Sequence, residues 1–278
     1  MPLCSLKPVL AQARARGGAC LGLVCLGWED VQAFVAAAEA AQVPAILSAG
    51  PGARAHMPLS LWGAMFDTLG KAASVPVVAH LDHATRLDEC EAALAAGFTS
   101  LMIDGSLLPL AENIALCQSV CRLVEGREVS VEAELGQVGY EGGVASQGTP
   151  PQEVRTFLRE VPCDALAISI GNSHLQTKGQ AAIDFELAAQ IAAVADRPLV
   201  LHGSSGVRLA DRQRLAADFG VHKFNVGTEF RQVFGQSLRQ TLADQPALFD
   251  RLKILAASRN AMAAAVQEAL ETAWTPSS

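Results

Sequence analysis

Eight short apolar runs recur along the chain, separated by longer stretches with helical periodicity, and this alternation limits the fold more than any other feature. The runs are Ala19–Val24, Ala45–Leu47, Val77–His80, Ser100–Ile103, Ser130–Leu135, Ala165–Ile168, Leu199–Leu201 and Val221–Val226. Between them the spacing predicts helices over Trp28–Ala41, Leu59–Ala73, Leu87–Ala96, Leu107–Glu125, Gln152–Glu160, Phe185–Ala195 and Leu209–Asp218, with an opening helix at Ser5–Arg14 and a helix-rich tail from Thr228. Strand-then-helix alternation implies parallel strands joined by crossover helices. An open doubly wound sheet and a closed (β/α)8 barrel both fit. The phosphate fingerprints of the common open-sheet folds, GxGxxG and GxxxxGK[ST], are absent. Eight units in 278 residues match a barrel, which takes about 250 residues. The expected fold is therefore α/β, a (β/α)8 TIM barrel spanning 1–278 as a single domain with extra terminal helices.

Half of the residues are apolar and 18% are charged, which suits a chain that buries a large core. The net charge of −7 argues against a nucleic-acid surface or an anionic membrane as partner. No basic start, apolar run and small-residue cleavage site occur in order at the N-terminus, and the apolar stretch 19–28 is too short to span a bilayer. Seven cysteines, an odd number without a CxxC pair, fit a reduced, cytoplasmic protein; Cys117 and Cys121 read as thiols packed along one helix.

In barrels of this kind chemistry sits where the strands end. Those ends carry Asp82-His83, Asp104, Glu132 and Glu134, Gly171-Asn172-Ser173-His174, His202-Gly203-Ser204-Ser205-Gly206 and Asn225-Val226-Gly227-Thr228. Of six histidines, three fall on this rim: His83, His174 and His202. Three neutral imidazoles from separate strands form a Zn²⁺ site with an open fourth position, and Co²⁺ or Ni²⁺ suits the same donors. Any one of them alone reads as a hydrogen-bonded core histidine; the three together favour the metal. His80 shares strand parity with Asp82 and reads equally as a support for the site or as core. His56 and His222 read as structural or surface residues. Glu134 and Asp104 can steer the metal or its histidines, or can be buried acids held by local partners. Gly203 to Gly206 and Gly227-Thr228 offer backbone N–H groups after the last two strands, and a helix opening at Thr228 adds its positive end. Lys178, four residues beyond His174, can reach inward as a cation. Together these form a phosphate seat.

At these residues the chain resembles the class II, zinc-dependent ketose-bisphosphate aldolases, of fructose- and tagatose-bisphosphate type. HLDH (80–83), MIDGS (102–106), VEAELG (131–136), GNSH (171–174) with Lys178, LHGSSG (201–206) and KFNVGTE (223–229) carry the resemblance in order over nearly the whole length. ILSAGPGARAH (46–56) leans toward the tagatose branch. The resemblance implies reversible aldol cleavage of a phosphorylated ketose to dihydroxyacetone phosphate and an aldehyde. It implies His83, His174 and His202 as zinc ligands, with Glu134 touching a shifted metal and room for a monovalent cation. Asp82 would move the hydroxyl proton. Lys178, Gly203, Ser204, Ser205, Gly227 and Thr228 would hold the phosphate, with Asn225 facing the reacting carbons. Family members pair, so a homodimer or homotetramer is expected.

Three positions depart from the family pattern. Leu175 and Thr177 stand where Gly and an aromatic are usual. GYEGG replaces GG-x-E-D in the loop after ELG, so Gly142 and Gly143 occupy the acidic pair and Glu141 is the remaining acid. Gly22-Leu23-Val24 replaces AFN. These departures leave open a sugar-phosphate-binding relative with an altered substrate or little activity. Metal-assisted hydrolysis and a Schiff-base aldolase using Lys223 are further alternatives.

Overall fold

The computed structural model describes residues 3–140, 142, 143, 145–176 and 180–274. Eight parallel strands pair in sequence order and close on themselves: β1 (Cys20–Val24), β2 (Ala45–Ala49), β3 (Val77–Ala84), β4 (Ser100–Ile103), β5 (Ser130–Leu135), β6 (Ala165–Ile168), β7 (Leu199–Leu201) and β8 (Val221–Val226). The seam pairs β1 with β8, Gly22 opposite Asn225. The strands are almost wholly buried because helices cover the outer face of the sheet while the inner face fills the barrel.

The crossover helices are α2 (Trp28–Ala41), α4 (Leu59–Ala72), α5 (Leu87–Ala95), α6 (Leu110–Leu123), α7 (Pro151–Glu160), α8 (Phe185–Ala192) and α9 (Leu209–Phe219). α6 starts three residues later than its apolar pattern suggests. Pro109 disfavours helical backbone at Leu108, and Leu107 projects into solvent. A six-residue helix, α3 (Pro51–His56), precedes α4 and opens on a proline, whose missing N–H costs nothing there. At the termini, α1 (Leu6–Ala15) packs on β1 and β8, while α10 (Thr228–Asp244) leads into α11 (Arg251–Trp274), which lies along α2. Ala19 N–H donates to the Ala273 carbonyl at 2.9 Å, tying the chain's end to its first strand. Among the described residues no helix is long and apolar enough to cross a membrane.

The barrel interior departs from the usual filling of branched aliphatics. Below the C-terminal mouth lies a polar layer of Ser48, His80, Ser100, Glu132 and Lys223, none exposed to solvent. Lys223 Nζ stands 2.7 Å from Glu132 Oε2 and 3.3 Å from His80 Nε2, and His80 Nδ1 lies 2.8 Å from Ser100 Oγ. Buried charge of this kind persists only when paired and hydrogen-bonded.

Candidate active site

A cavity of about 230 Å³ opens at the C-terminal ends of the strands. Asp82, His83, His174, His202, Gly203, Ser205, Asn225, Gly227 and Thr228 line it, so most rim residues singled out in the sequence converge on one space. A larger cavity of about 410 Å³ behind β8, between α9, α10 and α11, holds the Arg212–Glu229 ion pair and no histidine.

The three imidazoles face one another. Ring centroids of His83 and His202 are 4.5 Å apart, His83 and His174 5.1 Å, His174 and His202 6.1 Å. One nitrogen from each lies within 4.8 Å of the others, a spacing that one ion can bridge. Acids orient two of these rings. His83 Nδ1 is 2.9 Å from Asp104 Oδ2, which leaves a buried Nε2 without a hydrogen-bond partner among the described residues. His202 Nε2 is 2.9 Å from Glu132 Oε1, and its Nδ1 meets Asn225 Nδ2 at 3.1 Å. Metal-ligating histidines almost always have their second nitrogen held by a carboxylate, a carbonyl or water, and these two rings meet that requirement.

Electrostatics sharpen the arrangement. Burial, reinforced by the charge on His83, holds His202 well below the ordinary imidazole range and brings His174 down to about 4. Both rings are therefore neutral near pH 7, each with one unprotonated nitrogen. Burial works against charge on His83 too, but Asp82, Asp104 and Glu134 outweigh it and raise this ring to about 10. Burial would raise Asp82, yet His83, His202 and Lys223 hold it below the usual carboxylate range. The same contest leaves Asp104 depressed by His83, while burial and Asp104 push Glu134 well up.

One expectation needs correction. Ser204 does not line the cavity; it is buried, and its hydroxyl donates to the Leu201 carbonyl at 2.7 Å. Glu134 lies 3.5 Å from His83 Nδ1 and, with His83 and Asp104, forms a second group of donors close enough together to hold a metal ion. Glu141 and Lys178 lie outside the described residues. Gly142, at φ 73°, and Gly143 are exposed.

Ser205 Oγ accepts from Gly227 N–H at 3.3 Å and Glu229 N–H at 3.4 Å, at the start of α10. Asn225 Nδ2 reaches Asp82 Oδ1 at 2.9 Å, while its Oδ1 has no partner among the described residues. Gly22 makes room for that amide, since a Cβ there would stand 2.2 Å from Asn225 Oδ1. Gly203, at φ 60°, lets the His202 loop press on the Ser173 carbonyl, where a Cβ would come within 2.3 Å. Sequence reasoning missed Arg231 and Leu26 at the mouth and Arg54 behind it. Arg54 stood within a quoted motif, but nothing local marked its target.

A closed parallel barrel with imidazoles, acids and backbone donors gathered at its C-terminal mouth is the build of a barrel enzyme. Residues 4–275 match the family described as fructose-bisphosphate aldolase class-II. The chain is 36% identical over 276 residues to the fructose-bisphosphate aldolase of Geobacillus stearothermophilus, covering 96% of this chain and 95% of that one. It is 34% identical over 272 residues to the enzyme of that name from Staphylococcus aureus, covering 94% of each. The crystal structure of the YdjI aldolase from Escherichia coli K12 superposes with a TM-score of 0.87 at 28% identity, over 98% of this chain and 97% of that one. The chain thus belongs to the class II fructose-bisphosphate aldolase family, a family of metal-dependent carbon–carbon lyases.

Proposed function

We propose that this protein catalyses reversible, zinc-dependent cleavage of a phosphorylated ketose into dihydroxyacetone phosphate and an aldehyde, with His83, His174 and His202 holding the ion. The convergence of those three imidazoles, one with an orphaned buried nitrogen, carries the reading. An all-nitrogen set favours zinc, with cobalt or nickel as substitutes. Bound there, zinc would supply Lewis acidity toward the ketose carbonyl.

The chain's own groups do the rest. Asp82 is the base for the hydroxyl proton whose loss opens the carbon–carbon bond, and its lowered pKa keeps it ionised for that task. Asn225 fixes the Asp82 carboxylate through its amide N–H and faces the developing charge. Gly203, Ser205, Gly227 and Thr228 seat the phosphate, with Lys178 proposed as its counter-charge. Glu134, beside His83, would touch a shifted metal, and Glu141 is the acid of the GYEGG motif. Lys223 is unsuited to Schiff-base chemistry because Glu132 already holds its ammonium in the polar layer beneath the cavity. Leu175, left-handed at φ 54° and about half exposed at the mouth, favours a second reading in which the donor half is kept and the acceptor aldehyde differs.

The test is metal analysis followed by ketose-phosphate cleavage with and without EDTA. Asp82→Asn should retain zinc and lose about 10²–10⁴-fold in kcat. Full activity in that variant, or cleavage indifferent to EDTA, would refute the reading.

A further inference from the structure

Neighbouring residues on a strand point to opposite faces, yet Asp82 and His83 both line the cavity. β3 achieves this by leaving its ladder. The register with β4 shifts between Leu81 and Ala84, and His83 adopts φ 50°, a left-handed conformation that costs a non-glycine residue roughly 1–2 kcal/mol. His83 N–H donates to the weak acceptor Met102 Sδ, at 3.3 Å. Three carbonyls beside the irregularity accept from one side chain of α3. Arg54 Nη1 donates to Asp82 O at 2.6 Å and to Ala49 O at 3.0 Å, and Nη2 donates to His83 O at 3.2 Å. Glu89 Oε1 steadies the guanidinium at 3.3 Å, while its Oε2 accepts from Thr85 N–H just beyond the irregularity. The Arg54 side chain is 10% exposed, so solvent offers it little alternative.

We propose that Arg54 is a positioning residue: its planar fork holds the β3 bulge in the one conformation that aims the Asp82 carboxylate and the His83 imidazole into the same cavity. A lysine cannot span three carbonyls from one rigid plane, although it keeps the charge. The inference rests on the reading of His83, His174 and His202 as one metal site.

The experiment compares wild type, Arg54→Lys and Glu89→Gln. Zinc affinity is measured by chelator competition, the visible spectrum of the cobalt(II) form reports ligand geometry, and urea unfolding of the metal-free proteins reports stability. Lost support behind a metal ligand typically weakens binding about 10–100-fold. Arg54→Lys is expected to fall in that range and to shift the cobalt bands, while Glu89→Gln, which keeps the fork, stays within about threefold with unchanged bands. A purely structural ion pair would lower the unfolding free energy in both variants and leave affinity and spectrum of the folded protein unmoved. Arg54→Lys binding zinc as tightly as wild type, with the same spectrum, overturns the inference. A wild-type protein that takes up neither zinc nor cobalt overturns the metal reading itself, a separate failure.

Discussion

Replacing Lys223 with methionine should cost this fold far more than an ordinary lysine substitution. Neither Lys223 nor Glu132 has exposed side-chain surface, and their charged atoms are 2.7 Å apart. At that separation and an effective dielectric of 20 the attraction is about 6 kcal/mol, most of it offset by the cost of taking both ions out of water. Removing only the ammonium discards the attraction and leaves the Glu132 carboxylate buried, supported by His202 at 2.9 Å. Such one-sided losses run to about 3–5 kcal/mol, against a total stability of about 5–15 kcal/mol for a typical domain. Glu132→Gln should be similarly costly, because it strands the ammonium. The double variant removes both ions and should cost little more than either single one, a coupling of about 3 kcal/mol. Urea unfolding followed by circular dichroism, with EDTA present so that metal does not contribute, measures all four corners of the cycle. Single variants that each lose under about 1 kcal/mol and add independently would refute the argument that this pair is desolvated and interdependent.

Leu175 holds φ 54° with nearly half its surface exposed, so conformation should outweigh packing there. Leu175→Asn is expected to gain about 1 kcal/mol and Leu175→Val to lose about as much in the same unfolding assay, and the reverse order would contradict the assignment. His222, whose Nδ1 meets the Gly18 carbonyl at 2.9 Å, is held below the usual imidazole range by burial, only partly opposed by that bond. The unfolded chain therefore takes up its proton first, below pH of about 6.5. The stability margin of wild type over His222→Gln should be constant above that pH and shrink as pH falls toward the folded-state value. A margin that widens on acidification would show the shift to have the opposite sign.

The barrel was legible in the sequence because its strands are buried on both faces. β4 through β8 fall where their apolar runs lie, residue for residue. β3 runs on past its apolar run, through Asp82 and His83, because the barrel wall needs strand there whatever its polarity. Three separated histidines at strand ends were legible as a cluster, since topology alone brings strand ends together. The bulge at His83 was not, because strict alternation would have sent His83 to the outside of the barrel. Arg54 escaped notice because α3 is too short to show periodicity and its targets lie 28 and 29 residues away. Ser204 was misplaced because a glycine-flanked serine looks exposed in sequence, whereas the turn that follows Gly203 tucks it under β7.

The first and last staves of the cylinder are neighbours, β1 against β8. A ribosome must therefore deliver everything up to Val226 before the wall can shut, and until then two strand borders lie bare to other chains. Any truncation reaching β8 would yield an unzipped, sticky sheet rather than a smaller catalyst.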